Sequence, residues 1–161
     1  MSYRVLGLDP SPFIPLYGLS DSELASRGMR RCLVSEAHAA PDRIELRDAE
    51  VGETVLLLNH CYLDVAGPYR GTHAIFVREG ATRRFDAVGT LPDALRRRLI
   101  SLRAFDADGM MVDAEVAEGR ELEPLIARFL ADPHVAFLHA HHARRGCYAA
   151  RIERMSFRAA R

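Results

Sequence analysis

The sequence predicts an α+β domain spanning residues 1–161, a largely antiparallel sheet with two or three helices packed on it. Three observations carry this. Strand-like runs outnumber helical ones and follow one another directly, which favours hairpins over parallel crossovers. Helix-start chemistry occurs at two places, and a third segment repeats its apolar residues at helical spacing. The composition, 48% apolar and 27% charged over 161 residues, suits one hydrophobic core without staples.

Taken in order, Tyr3 to Leu8 is a short apolar run ended by Asp9-Pro10-Ser11-Pro12, hence a strand and a loop. Ser20-Asp21-Ser22-Glu23 has the spacing of a capping box and opens a helix that Gly28 stops. Met29 to Ser35 reads as a strand and Arg43 to Arg47 as a brief one. Thr54 to Leu63 is a stronger strand, apolar on both faces at Val55-Leu56-Leu57-Leu58. Thr72 to Arg78 is its expected antiparallel neighbour, with Thr82 to Asp86 added as a third strand after the Glu79-Gly80 turn. Thr90-Leu91-Pro92-Asp93 predicts a second helix, capped by Thr90 and carrying Leu91, Leu95 and Leu99 on one side. Asp106-Ala107-Asp108-Gly109 is a hairpin turn between Leu102–Phe105 and Met111–Val116. Leu122, Leu125, Ile126, Phe129 and Leu130 mark an amphipathic helix, and Val135–Ala143 with Cys147–Met155 closes the chain as a hairpin.

Composition narrows the function. Twenty-two basic and 22 acidic side chains balance to zero, which argues against a general nucleic-acid or membrane-surface role. Every Lys or Arg is an arginine, so an anion site must use Arg, His or backbone amides. The cysteines Cys32, Cys61 and Cys147 are widely spaced with no C-x-x-C pair, excluding a zinc ribbon or a thioredoxin-type dithiol. With no basic-then-apolar leader and no membrane-length apolar run, the expected location is the cytoplasm, with reduced thiols.

The densest chemistry lies in the terminal hairpin. Arg144-Arg145-Gly146 fits a three-residue loop, which sets Ala143 opposite Cys147, His142 opposite Tyr148 and His139 opposite Arg151. Alternation then puts Leu138, Ala140, Ala150 and Ile152 on one face with His142 and Tyr148. Phe137, His139, His141, Cys147, Arg151 and Glu153 share the other. His139 and His141 are candidate acid/base residues or metal ligands, because side chains two apart on a strand point the same way, with His73, His60 or Cys147 as a third ligand. Cys147 is a candidate nucleophile beside them. A second region, Tyr69, Arg70, Thr72 and His73, stands at a loop-to-strand junction where Gly71 lets the backbone approach a ligand. Arg103, Arg145 and Arg151 complete the candidate anion-holding set. The plain alternatives are a solvated polar face, an ordinary turn and, for Arg103, an ion pair with Asp106 or Asp113. Calcium-loop, phosphate-loop and G-x-S-x-G patterns are absent, and the cofactor is left open.

The segments Arg70 to Glu79, Leu102 to Ala114 and His139-Ala140-His141 through Arg145-Gly146-Cys147-Tyr148 to Arg154 resemble a bacterial family, domain of unknown function 1203. The Gly7-Leu8-Asp9 opening and the leucine-rich strand before His60 extend the resemblance over nearly the whole chain. It implies a small, stand-alone bacterial protein and no particular activity. Two functional readings follow. One is a protein that binds or processes a small anionic molecule in an Arg/His-lined cleft between Tyr69–His73 and the terminal hairpin. The other is a non-catalytic interaction module, such as a homodimer formed through a sheet edge, with the His/Arg face solvated.

Overall fold

Nine strands and three helices form among residues 2–155, the part of the chain that the computed structural model describes. In order they are β1 (Tyr3–Leu6), α1 (Asp21–Ser26), β2 (Arg30–Leu33), β3 (Thr54–Leu63), β4 (Gly71–Arg78), β5 (Asp86–Val88), α2 (Asp93–Arg96), β6 (Leu99–Phe105), β7 (Met111–Glu118), α3 (Leu122–Ala131), β8 (Phe137–His142) and β9 (Tyr148–Arg154). They make two sheets where the sequence predicts one. The larger runs β5-β1-β9-β8-β6-β7 and the smaller β2-β3-β4. Every pairing between named strands is antiparallel. None of the helices is long and apolar enough to cross a membrane.

The main core lies between α3 and one face of the larger sheet. All five residues of the predicted apolar stripe, Leu122, Leu125, Ile126, Phe129 and Leu130, are buried there, against Ile100, Leu102, Leu138, Ala140 and Ile152. Ile152 is fully buried at the middle of this sheet. Removing one methylene with Ile152→Val is expected to lower the unfolding free energy by about 1 kcal/mol. Urea titration at pH 7 would show it, and an unchanged midpoint would contradict this packing. A second core joins Leu56, Leu58, Ile75 and Val77 of the smaller sheet to Leu24 of α1. The α1 capping box forms as predicted, with Ser20 Oγ accepting from the Glu23 N–H at 3.1 Å and the Glu23 carboxylate accepting from the Ser20 N–H at 2.7 Å.

Three expectations are corrected. Residues 43–47 form a turn and no strand, because the buried Asp42 carboxylate accepts the Glu45 N–H at 2.6 Å and the Arg78 N–H at 2.7 Å, folding the chain back. This segment runs between the sheets: the Arg43 N–H donates to Phe76 O at 3.2 Å and the Leu8 N–H to Arg43 O at 2.8 Å. Residues 82–85 do not extend the smaller sheet. The chain leaves it at Gly80, and β5 pairs with β1 instead. The second helix is a single turn whose N-cap is Pro92; the Thr90 hydroxyl caps nothing and donates to Val88 O. The Arg98 guanidinium takes the Ala94 carbonyl at 2.8 Å, and Leu99 already belongs to β6.

Candidate functional site

Alternation predicts the middle of the β8–β9 hairpin and misplaces its end. Leu138–Ile152, His139–Arg151 and Ala140–Ala150 pair in the predicted register. Beyond Ala140 the pairing shifts by one: His141 meets Tyr148, and Ala149 is the extra residue of a bulge. The connection is the four residues 143–146, with Gly146 left-handed at φ 76° and its N–H donating to His142 O at 2.7 Å. The His142 N–H donates to Cys147 O at 2.9 Å, so these two residues stand opposite each other. The bulge moves two side chains from their expected places. Tyr148 joins His139 and His141, while Cys147 leaves that face for the side of His142.

The His139/His141 face is closed. His139 is 1% exposed and His141 0%. Tyr148 packs edge-on against both, at 5.0 and 5.8 Å between ring centres, and Tyr62 lies 5.0 Å from His141 and stacks on Tyr148 at 5.9 Å. Phe105 and Phe137 close the other side of His139, at 5.3 and 5.1 Å. A Cβ on Gly71 would collide with the Tyr62 ring, so the glycine at this junction makes room for a protein side chain. The space where a cleft was expected is therefore occupied by aromatic rings.

His141 Nδ1–H donates to Gly146 O at 2.9 Å, which leaves its Nε2 with a lone pair and no partner. His139 Nδ1 is likewise unpartnered. Burial pushes the His139 imidazole down to about 3, helped by His141 and Arg151. It pushes His141 down to about 4 against the support of the Gly146 carbonyl. Both rings are neutral at pH 7. Among the described residues no three His, Cys, Asp or Glu side chains converge to hold a metal. His73, a suggested third ligand, lies on β4 opposite His60, with its Nδ1–H on Ala74 O at 3.0 Å.

A cleft of about 640 Å³ opens at the turn of the hairpin. Cys147, His142 and Arg43 line it, and Arg144 and Arg145 of the turn stand at its rim. Residues 36–39 and Arg97–Arg98 form the facing wall, with the carboxylates of Glu36 and Glu118 also on its surface. Arg43 is 2% exposed. Its Nε–H donates to Tyr148 O at 2.8 Å, its Nη2–H to Cys147 Sγ at 3.1 Å and its Nη1–H to Pro41 O. Burial disfavours its charge, and the Cys147 sulfur followed by Asp42 supports it. No carboxylate among the described residues forms an ion pair with Arg43, Arg144 or Arg145. Arg98 differs, being bonded to Asp48 at 2.7 Å. Asp48 is held below the ordinary carboxyl range because Arg98 and His38 outweigh its burial. His142 is 7% exposed with Nδ1 unpartnered, and burial, Arg43 and Arg98 push it down to about 3.

Of the residues singled out in the sequence, Cys147 and Arg145 reach this cleft. Tyr69 lies edge-on to Phe105 at 6.2 Å, Arg70 is exposed and pairs with Asp64 at 3.1 Å, and Thr72 is exposed on β4. Arg103 donates to Ser101 Oγ at 3.2 Å and pairs in register with His139, without the expected partner Asp106 or Asp113. Arg151 bonds Glu153 at 2.6 Å and covers the Phe137 ring at 3.9 Å. Arg43, His38 and His142 also line the cleft and were not singled out in the sequence. The signal for Arg43 was faint: an arginine next to Ile44 in a segment read as a strand, where a guanidinium on an inward face needs partners. A family model described as protein of unknown function (DUF1203) matches residues 39–154. No curated protein and no solved structure is matched.

Proposed function

The chain belongs to the DUF1203 family of proteins of unknown function, and from the site itself we propose that it binds a small anionic molecule in the cleft beside the β8–β9 turn. One observation carries the reading: the buried Arg43 guanidinium lines the cleft together with Arg144 and Arg145, and among the described residues none of the three forms an ion pair with a carboxylate. The three acceptors of the Arg43 guanidinium, Tyr148 O, Pro41 O and Cys147 Sγ, bring no full negative charge into contact with it, and an arriving carboxylate, sulfate or phosphate would supply one. The cleft is open enough to admit such a group, while the His139/His141 face is not.

Anion binding to the folded state raises stability by mass action, about 1.4 kcal/mol at ten times the dissociation constant. For a chain of this size that is a rise of roughly 3–6 °C in melting temperature. Millimolar citrate or inorganic phosphate, at constant ionic strength set by chloride, is expected to produce it. Arg144→Ala/Arg145→Ala is expected to remove it. An increase that persists in the double variant would be a general salt effect and would defeat the proposal.

A second reading rests on β7, an edge strand with Val112 and Val116 exposed. A partner strand can add there. Self-pairing about Ala114 would set Asp113 of one copy against Glu115 of the other, and like charges directly opposite destabilise. The edge therefore favours a basic partner strand over a second copy of this chain.

A further inference from the structure

We propose that Cys147 is a reactive thiol that exchanges with low-molecular-weight disulfides bearing carboxylates, and this rests on reading the cleft as an anion site. The argument starts from where the bulge places the sulfur. Cys147 lines the cleft, whereas in the register without the bulge it would lie among the rings around His139. Its Sγ accepts a hydrogen bond from Arg43 Nη2 at 3.1 Å, and that guanidinium bonds no carboxylate. Cys147 is 7% exposed, and a positive charge against its sulfur stabilises the negative charge developed during attack. A second residue with an unmet polar atom, His142, lines the same cleft. His142 stands opposite Cys147, is nine-tenths buried and has Nδ1 without a partner.

The rim selects the reagent. Arg144 and Arg145 are exposed, line the same cleft as the thiol and form no ion pair among the described residues, so a carboxylate attached to a disulfide can be held while the sulfur is attacked. The step balances with the disulfide as oxidant. Cys147 gives its proton to solvent, and its sulfur attacks one sulfur of the ligand. A Cys147–S bond forms and the ligand S–S bond breaks. The departing sulfur takes the electron pair as a thiolate, which solvent protonates. Cys147 ends as a mixed disulfide, and the released half of the ligand is the reduced thiol. Glu36 and Glu118 also line the cleft and oppose an anion on their side of it.

The test compares dithiobis(nitrobenzoate), a dianionic disulfide, with dithiodipyridine, an uncharged one, each normalised to its rate with free cysteine. A Cys32→Ser/Cys61→Ser variant leaves Cys147 as the sole thiol, and peptide mass mapping on the unsubstituted chain assigns the site should that variant fold poorly. The expected result is modification at Cys147 with about a tenfold preference for the dianion at low salt, falling with ionic strength and in Arg144→Ala/Arg145→Ala. Equal normalised rates, or labelling confined to Cys32 and Cys61, overturn the proposal. The two readings fail separately. Citrate or phosphate stabilisation with an inert Cys147 removes the exchange chemistry and leaves anion binding standing. Neither stabilisation nor dianion preference removes both.

Discussion

Between pH 6 and pH 4 the protein is expected to lose most of its stability, at up to about 4 kcal/mol per pH unit. The cause is three imidazoles buried without charge. His139 and His142 are pushed down to about 3 and His141 to about 4, in each case chiefly by burial. In the unfolded chain all three bind a proton near pH 6.5. Between that value and their folded values the unfolded state holds more protons. Stability is therefore fully present above about pH 6.5 and falls with pH, by about 1.4 kcal/mol per unit for each histidine. Small folded proteins hold only about 5–15 kcal/mol in total, so the acid transition should come before pH 4. Glu53 and Glu79, both lowered to about 2, add their own loss only below about pH 4.5, when their unfolded-state carboxyls are protonated.

Urea titrations at pH 7, 6 and 5 measure this directly. His139→Phe should flatten the slope by about one proton. It should also raise stability at pH 7 by about 1–3 kcal/mol, because it removes an unpartnered buried Nδ1 from an aromatic surrounding. A wild-type slope below one proton between pH 6 and 5 would mean that these rings are protonated or solvated in the folded state.

Arg43→Ala is expected to cost about 3–5 kcal/mol. Two effects oppose each other. Removing a buried charge relieves its desolvation, which favours the variant. Against this, the side chain fills space between the sheets, and the carbonyls of Tyr148 and Pro41 would lose their donors where water does not replace them. Arg43 also ties the 41–47 turn to the hairpin end, so its loss releases a connection between the two sheets. Arg43→Met separates these contributions. It restores volume without donors and should cost less than half as much as alanine. Citrate stabilisation should vanish in both variants. Stability of Arg43→Ala within about 0.5 kcal/mol of wild type would show that the guanidinium holds nothing in place.

The α3 stripe, β3, β4, the β6–β7 hairpin and the α1 capping box were all legible because each depends on neighbours within a turn or a strand's length. So was the terminal hairpin as an element, and so were the antiparallel pairings β3–β4 and β6–β7. Of the polar residues singled out near the hairpin, Cys147 and Arg145 line the cleft at its turn. His139 and His141 were equally visible as a polar pair, and the sequence could not tell an exposed pair from one sealed by Tyr62, Phe105 and Phe137.

What the sequence alone determined was an antiparallel α+β protein whose arginine-only basic set and terminal hairpin were the place to look for chemistry. What only the tertiary structure decided was the division into two sheets, the Arg43 turn running between them and the residue skipped at Ala149. Periodicity records which way a side chain alternates, but a bulge reverses that alternation without a marker of its own in composition. Burial of a guanidinium likewise depends on segments more than a hundred residues apart, as in the Arg43 to Tyr148 bond. That one-residue shift sends Tyr148 to the closed histidine face and Cys147 to the open cleft, and so decides which of the two faces can meet a ligand.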